Sequence, residues 1–122
     1  MTILMAFERP EDAARTVSEI TGAGIVPTVL EYVDGDAAAA ANEYKKCEGI
    51  DRAAAVLLME TTERDPEGET GRIRRICEAN RAVYLRTEAD PERAETLWDV
   101  RRNISTALKA MAAIRISEDV AV

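Results

Sequence analysis

Ala53-Ala54-Ala55-Val56-Leu57-Leu58-Met59-Glu60 is apolar at every position up to its closing carboxylate. A strand with one wet face alternates apolar and polar residues. A strand covered on both faces, or central in a sheet, does not. The stretch therefore reads as an inner strand, and the rest of the chain is placed around it.

Upstream, Thr2–Phe7 is a short apolar run and reads as a strand. Pro10 suits the first turn of a helix, and Glu11 and Asp12 favour its positive N-terminal end. Ala13, Val17 and Ile20 repeat at helical spacing until Gly22 and Gly24 end the helix. Ile25–Val33 reads as a strand with Pro27 near its start, where a missing N–H is tolerated. Asp34-Gly35-Asp36 is a turn and a cap before the Ala-rich helix Ala37–Cys47, whose Ala37–Ala41 run is either a close-packing face or, the favoured reading, a helix with little to bury. Downstream, Thr61–Gly71 carries Pro66 and two glycines and reads as a loop. It leads into a helix over 69–80 with the apolar stripe Ile73, Ile76 and Cys77. Ala82–Thr87 is a further strand. Asp90-Pro91 caps and opens a long helix to Ala112. Ile114–Val122 reads as a fifth strand in which the sequence stops, so a domain cut short is expected.

Alternating strands and helices can build a parallel sheet. Here the strands are few, and no glycine-rich phosphate turn follows any of them. The pattern predicts an α+β fold of the ferredoxin-like, split β-α-β kind. The sheet is antiparallel, with the helices of 10–22 and 69–80 on one face. The Ala37–Cys47 helix and the long C-terminal helix are additions to it.

The 122 residues carry a formal charge of −7, which argues against nucleic acid, because phosphate binding needs a concentrated basic face. No apolar run approaches the ~20 residues that span a bilayer. Cys47 and Cys77 lack metal-site spacing and read as buried or half-buried thiols in a reducing cytosol, with a disulfide or a metal pair as the lesser alternative. With no histidine, the commonest general base and the commonest transition-metal ligand are missing. No metal site and no catalytic residue are assigned to this stretch of chain. Glu118-Asp119 beside Arg115 reads first as a solvated charge cluster and second as a polar floor facing a ligand.

One cation stands out. Counting from Pro91, Ala94, Leu97, Trp98, Ile104, Leu108, Met111 and Ala112 share one side of a helix. Arg101 falls near the middle of that arc, with Ser105 one turn on. A buried guanidinium is costly unless paired. Arg101 is therefore snorkelling, held by a carboxylate, or reserved for a ligand or another domain. An arginine fork with a hydroxyl one turn away makes a credible carboxylate clamp. On the residues alone, an internal salt bridge with the stem packed on Trp98 ranks ahead of it.

Three stretches together resemble one family. They are Thr2–Phe7 with Glu11–Val17 and Ala23–Glu31; Leu97-Trp98-Asp99-Val100-Arg101-Arg102; and Arg115–Val122. They are similar to the C-terminal cap domain of FAD-linked oxidases of the vanillyl-alcohol-oxidase type, in the branch that oxidises 2-hydroxy acids such as glycolate and D-lactate. The resemblance implies a two-domain flavoenzyme. Residues 1–122 would be part of its cap, and the flavin-binding domain and the C-terminal half of the cap would lie elsewhere in the polypeptide. It implies FAD as the parent's cofactor and none bound by this portion. It implies that Arg101 binds the substrate carboxylate, that Ser105 assists, and that Arg115 adds a third polar contact. The reaction implied is oxidation of a 2-hydroxy acid, with base-supplying histidines beyond Val122. The partners implied are the flavin domain, the hydroxy acid and an iron–sulfur subunit. The location implied is cytoplasmic, peripheral to the membrane in the parent complex. A cut cap is also expected to self-associate into a homo-oligomer through uncovered surface. The alternative is a free-standing ferredoxin-like module that binds a small metabolite or mediates assembly.

Overall fold

A computed structural model of the chain describes residues 1–44, 49–51, 53–61, 66–99, 101–103, 106 and 109. Seven elements follow in order: β1 (Thr2–Phe7), α1 (Pro10–Gly22), β2 (Val29–Asp34), α2 (Gly35–Tyr44), β3 (Ala55–Glu60), α3 (Pro66–Ala79) and β4 (Tyr84–Glu88). Residues 91–99 and 101–103 are helical as well.

The four strands form one sheet in the order β2-β3-β1-β4. Every pairing is antiparallel. β3 is an inner strand, as its unbroken apolar run predicts, and five of its six residues are buried. β1, the other inner strand, is buried throughout. This is the α+β, split β-α-β arrangement the sequence predicts.

Successive residues of a strand face opposite sides of a sheet, so two apolar clusters form. On one face Ile3, Met5, Phe7, Ala55, Leu57 and Met59 meet Ala13 and Ile20 of α1 and Ile73 and Cys77 of α3. On the other, Leu4, Ala6, Val56 and Leu58 meet Ala38 of α2 and Leu97. The two added helices thus give the second face a buried cluster of its own. α2 has more to bury than its composition suggests, because Ala38 is fully buried against the sheet.

Helix ends follow local chemistry. Asp34 Oδ1 accepts the Ala37 N–H at 2.8 Å and caps α2. Asp90 Oδ1 accepts the Glu92 N–H at 3.1 Å and caps the last helix. At the end of α1, the Ile25 N–H bonds to Ile20 O and the Gly24 N–H to Thr21 O. This is a Schellman motif, and Gly24 at φ +80° supplies its left-handed residue. α3 ends the same way, with Ala82 N–H on Cys77 O and Arg81 N–H on Glu78 O. There the left-handed position is held by Arg81 at φ 62°.

Some boundaries differ from expectation. α3 starts at Pro66, inside the stretch that reads as a loop. A proline fits the first helical turn, and a glycine inside a helix weakens it by only about 0.5–1 kcal/mol relative to alanine, so Gly71 is accommodated. β2 starts at Val29, after Pro27, and α2 at Gly35, directly on the Asp34 cap. β4 runs Tyr84–Glu88, shifted one to two residues along from the predicted strand. Cys77 is buried, as predicted. Cys47 and the predicted fifth strand, Ile114–Val122, lie outside the described residues.

Candidate functional site

The second face of the sheet carries one row of paired residues from edge to edge. Glu31 on β2 lies opposite Leu58 on β3, Leu58 opposite Leu4 on β1, and Leu4 opposite Arg86 on β4. The row therefore has an acid at one edge, two leucines in the middle and a base at the other edge. The last helix is laid across it. Thr96 Oγ1 accepts from Arg86 Nη2 at 3.2 Å. Leu97 is 2% exposed and joins Leu4 and Leu58 in the cluster. Arg101 Nε then reaches Glu31 Oε2 at 2.6 Å. The helix crosses from the β4 edge to the β2 edge, and a polar contact holds it at each side.

This crossing explains where Arg101 sits. On a helical projection it falls inside the apolar arc, but its side chain is 57% exposed in the structure. Leu97 takes the middle of the sheet, and one turn on the helix has reached the edge. There the guanidinium meets both water and the 29%-exposed carboxylate of Glu31. Of the three states open to Arg101, the structure shows it held by a carboxylate, with its side chain still more than half exposed.

Arg102 is placed quite differently. Its fork is taken by its own helix, with Nη2 at 2.9 Å from Glu95 Oε2 and 2.6 Å from Asp99 Oδ1. The hydrogen bonds to Glu95, then to Asp99, raise its pKa above the ordinary arginine value. Arg86 makes a second contact, from Nε to Glu88 Oε1 at 3.0 Å. Ser105 and Arg115, which the family resemblance pairs with Arg101, lie outside the described residues.

Glu31 is the residue that sequence reasoning missed. Its signal is nonetheless present. β2 alternates half-buried and exposed positions, and Glu31 is in phase with the half-buried Val29 and Val33. A carboxylate on the covered side of an amphipathic strand asks for a cation above it.

Two other features bear on chemistry. Cys77 is buried with its Sγ 3.2 Å from Met5 Sδ, and burial pushes its thiol pKa up to about 12. Such a thiol is a packing group, not a nucleophile. A shallow groove between the end of α1 and α3 is lined by Glu19, Ala23, Arg72, Arg75, Ile76 and Ala79. Among the described residues no group of three or more His, Cys, Asp or Glu is placed to hold a metal ion. No helix among them is long and apolar enough to cross a membrane.

The turn between β1 and α1 is not a Rossmann-type phosphate loop. Such a loop is a glycine-rich turn that opens a helix after a parallel strand. Here β1 passes to α1 through Glu8, Arg9 and Pro10, with Arg9 turned to Glu11 at 3.6 Å. A carboxylate and a proline leave little room, and few N–H donors, for phosphate oxygens.

The chain matches known proteins along essentially its whole length. Residues 1–122 match the family model described as FAD linked oxidases, C-terminal domain. The chain is 35% identical over 127 aligned positions to the glycolate oxidase subunit GlcD of Bacillus subtilis (strain 168). The match takes in 99% of this chain but spans only 26% of that relative's length. The chain belongs to the C-terminal domain family of the FAD-linked oxidases.

Proposed function

We propose that this chain is part of the substrate-covering cap of an FAD-linked 2-hydroxy-acid oxidase or dehydrogenase, and that Arg101 orients the substrate carboxylate. The observation that carries the reading is the placement of Arg101 after Trp98-Asp99-Val100. Its guanidinium stands on a helix pinned to the sheet and remains more than half exposed. A guanidinium is always charged and offers a fork that matches a carboxylate. Holding a hydroxy acid by that group fixes where its Cα–H points, which is a contribution of orientation. Ser105 and Arg115 belong to the same proposal as further contacts to the acid. The flavin is held by another domain of the same polypeptide, in keeping with the 26% of the relative that the chain spans. In this reading the segment alone has no turnover, and the parent acts in the cytoplasm with the electron acceptor supplied from elsewhere.

The test is Arg101→Ala in the full-length flavoprotein, with glycolate and D-lactate as substrates. Losing a charge-assisted contact should cost about 2–5 kcal/mol, or roughly 30- to 5,000-fold in kcat/KM. Arg101→Lys should also be impaired, since a point ammonium does not reproduce the fork. A folded Arg101→Ala enzyme with kcat/KM unchanged would return Arg101 to a structural role. The ion pair with Glu31 favours that second reading, a module in which Arg101 only fastens its helix.

A further inference from the structure

We propose that Glu31 is the positioning residue for Arg101, holding the Nε side of the guanidinium so that the Nη1–Nη2 edge is presented to a substrate carboxylate. The inference rests on the reading of Arg101 as the substrate clamp and adds the group that aims it.

The geometry carries it in three steps. First, the contact is made through Nε, at 2.6 Å from Glu31 Oε2. A guanidinium can grip a carboxylate in bidentate fashion along its Nε–Nη side or along its Nη1–Nη2 end. Glu31 makes its closest approach on the side, at Nε. Among the described residues, Glu31 is the one ion-pair partner of Arg101. Arg102 shows the contrast: Glu95 and Asp99 of its own helix occupy its Nε and Nη2.

Second, Glu31 is carried by a hydrogen-bonded strand. It sits inside β2, in register with Leu58 of the inner strand β3. Its side chain is only 29% exposed, between the half-buried Val29 and Val33. Third, the backbone that carries Arg101 is fixed against the same row of the sheet, by Leu97 over Leu4 and Leu58 and by Thr96 on Arg86. Both ends of the Glu31–Arg101 contact therefore belong to one packed unit. An arginine paired with a carboxylate at 2.6 Å keeps fewer of the rotamers a free one samples, so less freedom is left to lose when substrate binds.

The experiment uses the full-length flavoprotein, with glycolate turnover and calorimetric binding of oxalate. Oxalate is a two-carbon dicarboxylate with no Cα–H to give up, so its binding reports the clamp without turnover. Glu31→Gln, Arg101→Ala and the double variant are compared, with thermal melting to check folding. Glu31→Gln should raise KM and the oxalate Kd about tenfold, between the few-fold worth of an exposed ion pair and the hundredfold of a displaced catalytic contact. The double variant should bind oxalate no more weakly than Arg101→Ala alone, because Glu31 acts only through Arg101. Glu31→Asp keeps the charge but withdraws it by one methylene, and should fall between wild type and Glu31→Gln. It is also the variant to read if Glu31→Gln does not fold.

If Arg101→Ala weakens oxalate binding while Glu31→Gln leaves it unchanged, the positioning role is wrong and the clamp stands. If the two effects add, Glu31 acts independently of Arg101 and the proposal falls. If Arg101→Ala leaves oxalate binding and kcat/KM unchanged, the clamp itself is wrong and the positioning role goes with it.

Discussion

Replacing Leu97 with alanine should unfasten the last helix. Leu97 is 2% exposed, and its cluster partners Leu4 and Leu58 are 1% and 2% exposed. Truncation to alanine removes three carbons from that cluster, or about 2.4 kcal/mol at ~0.8 kcal/mol per buried methylene. A cavity term adds to this where the surroundings cannot collapse. Here the helix lies on one side only, so it can settle toward the sheet and the added term should be small. The expected loss is about 2.5–3.5 kcal/mol, toward the middle of the range for buried leucines. The assay is urea denaturation followed by circular dichroism, with Val26→Ala as the control at an 84%-exposed apolar position. The control should change stability by less than about 0.5 kcal/mol. If Leu97→Ala behaves like the control at an unchanged m-value, the helix is not docked on the Leu4–Leu58 row. The placement of Arg101 over Glu31 would then fail with it.

Arg81→Gly should stabilise the chain by about 0.5–1 kcal/mol in the same assay, because a non-glycine residue at φ 62° carries strain that exceeds the entropy glycine adds to the unfolded state. A destabilised variant would mean that the arginine side chain contributes more than its backbone costs. Gly49→Ala should cost about 2–4 kcal/mol, since φ is +90° and a Cβ there would run into the Tyr84 ring; a neutral result would show that the ring moves aside freely. Cys77 should resist a thiol reagent at pH 8 in the native state and react at once in denaturant. With its folded pKa pushed from 9.0 to about 12, the unfolded state loses its proton first. Stability is therefore unaffected by this group below pH 9 and falls as pH rises from there toward 12. A Cys77→Ala variant should lose that part of the alkaline slope, and an unchanged slope would refute the assignment.

The fold was legible where a single element carries its own signal. The run ending at Glu60 has no polar face, so it had to be an inner strand, and the two-residue period of β2 marks a strand with one side covered. α3 was partly missed, because Pro66, Gly68 and Gly71 read as a loop although proline fits a first turn. The site was half legible. Arg101 is conspicuous on its helix, but a helical projection treats the surroundings as uniform. It cannot show that the helix lies across a sheet and runs off its edge one turn after Leu97. Nor does periodicity within either element join Glu31 to Arg101, since that contact is made only when the last helix is laid over the first half of the chain.

The strand order also sets a timetable for folding. All three pairings use β1 or β3, and β3 takes part in two of them. Among the described strands, no ladder can form until Ala55–Glu60 has been synthesised. The wholly buried β1 is made before any of its strand partners and waits for them for several seconds, at about 5–20 residues per second of synthesis. During that interval Thr2–Phe7 is a naked apolar strand. The α1 helix, which packs on its Ile3, Met5 and Phe7 side, is made directly after it and is the first described element able to shelter that side.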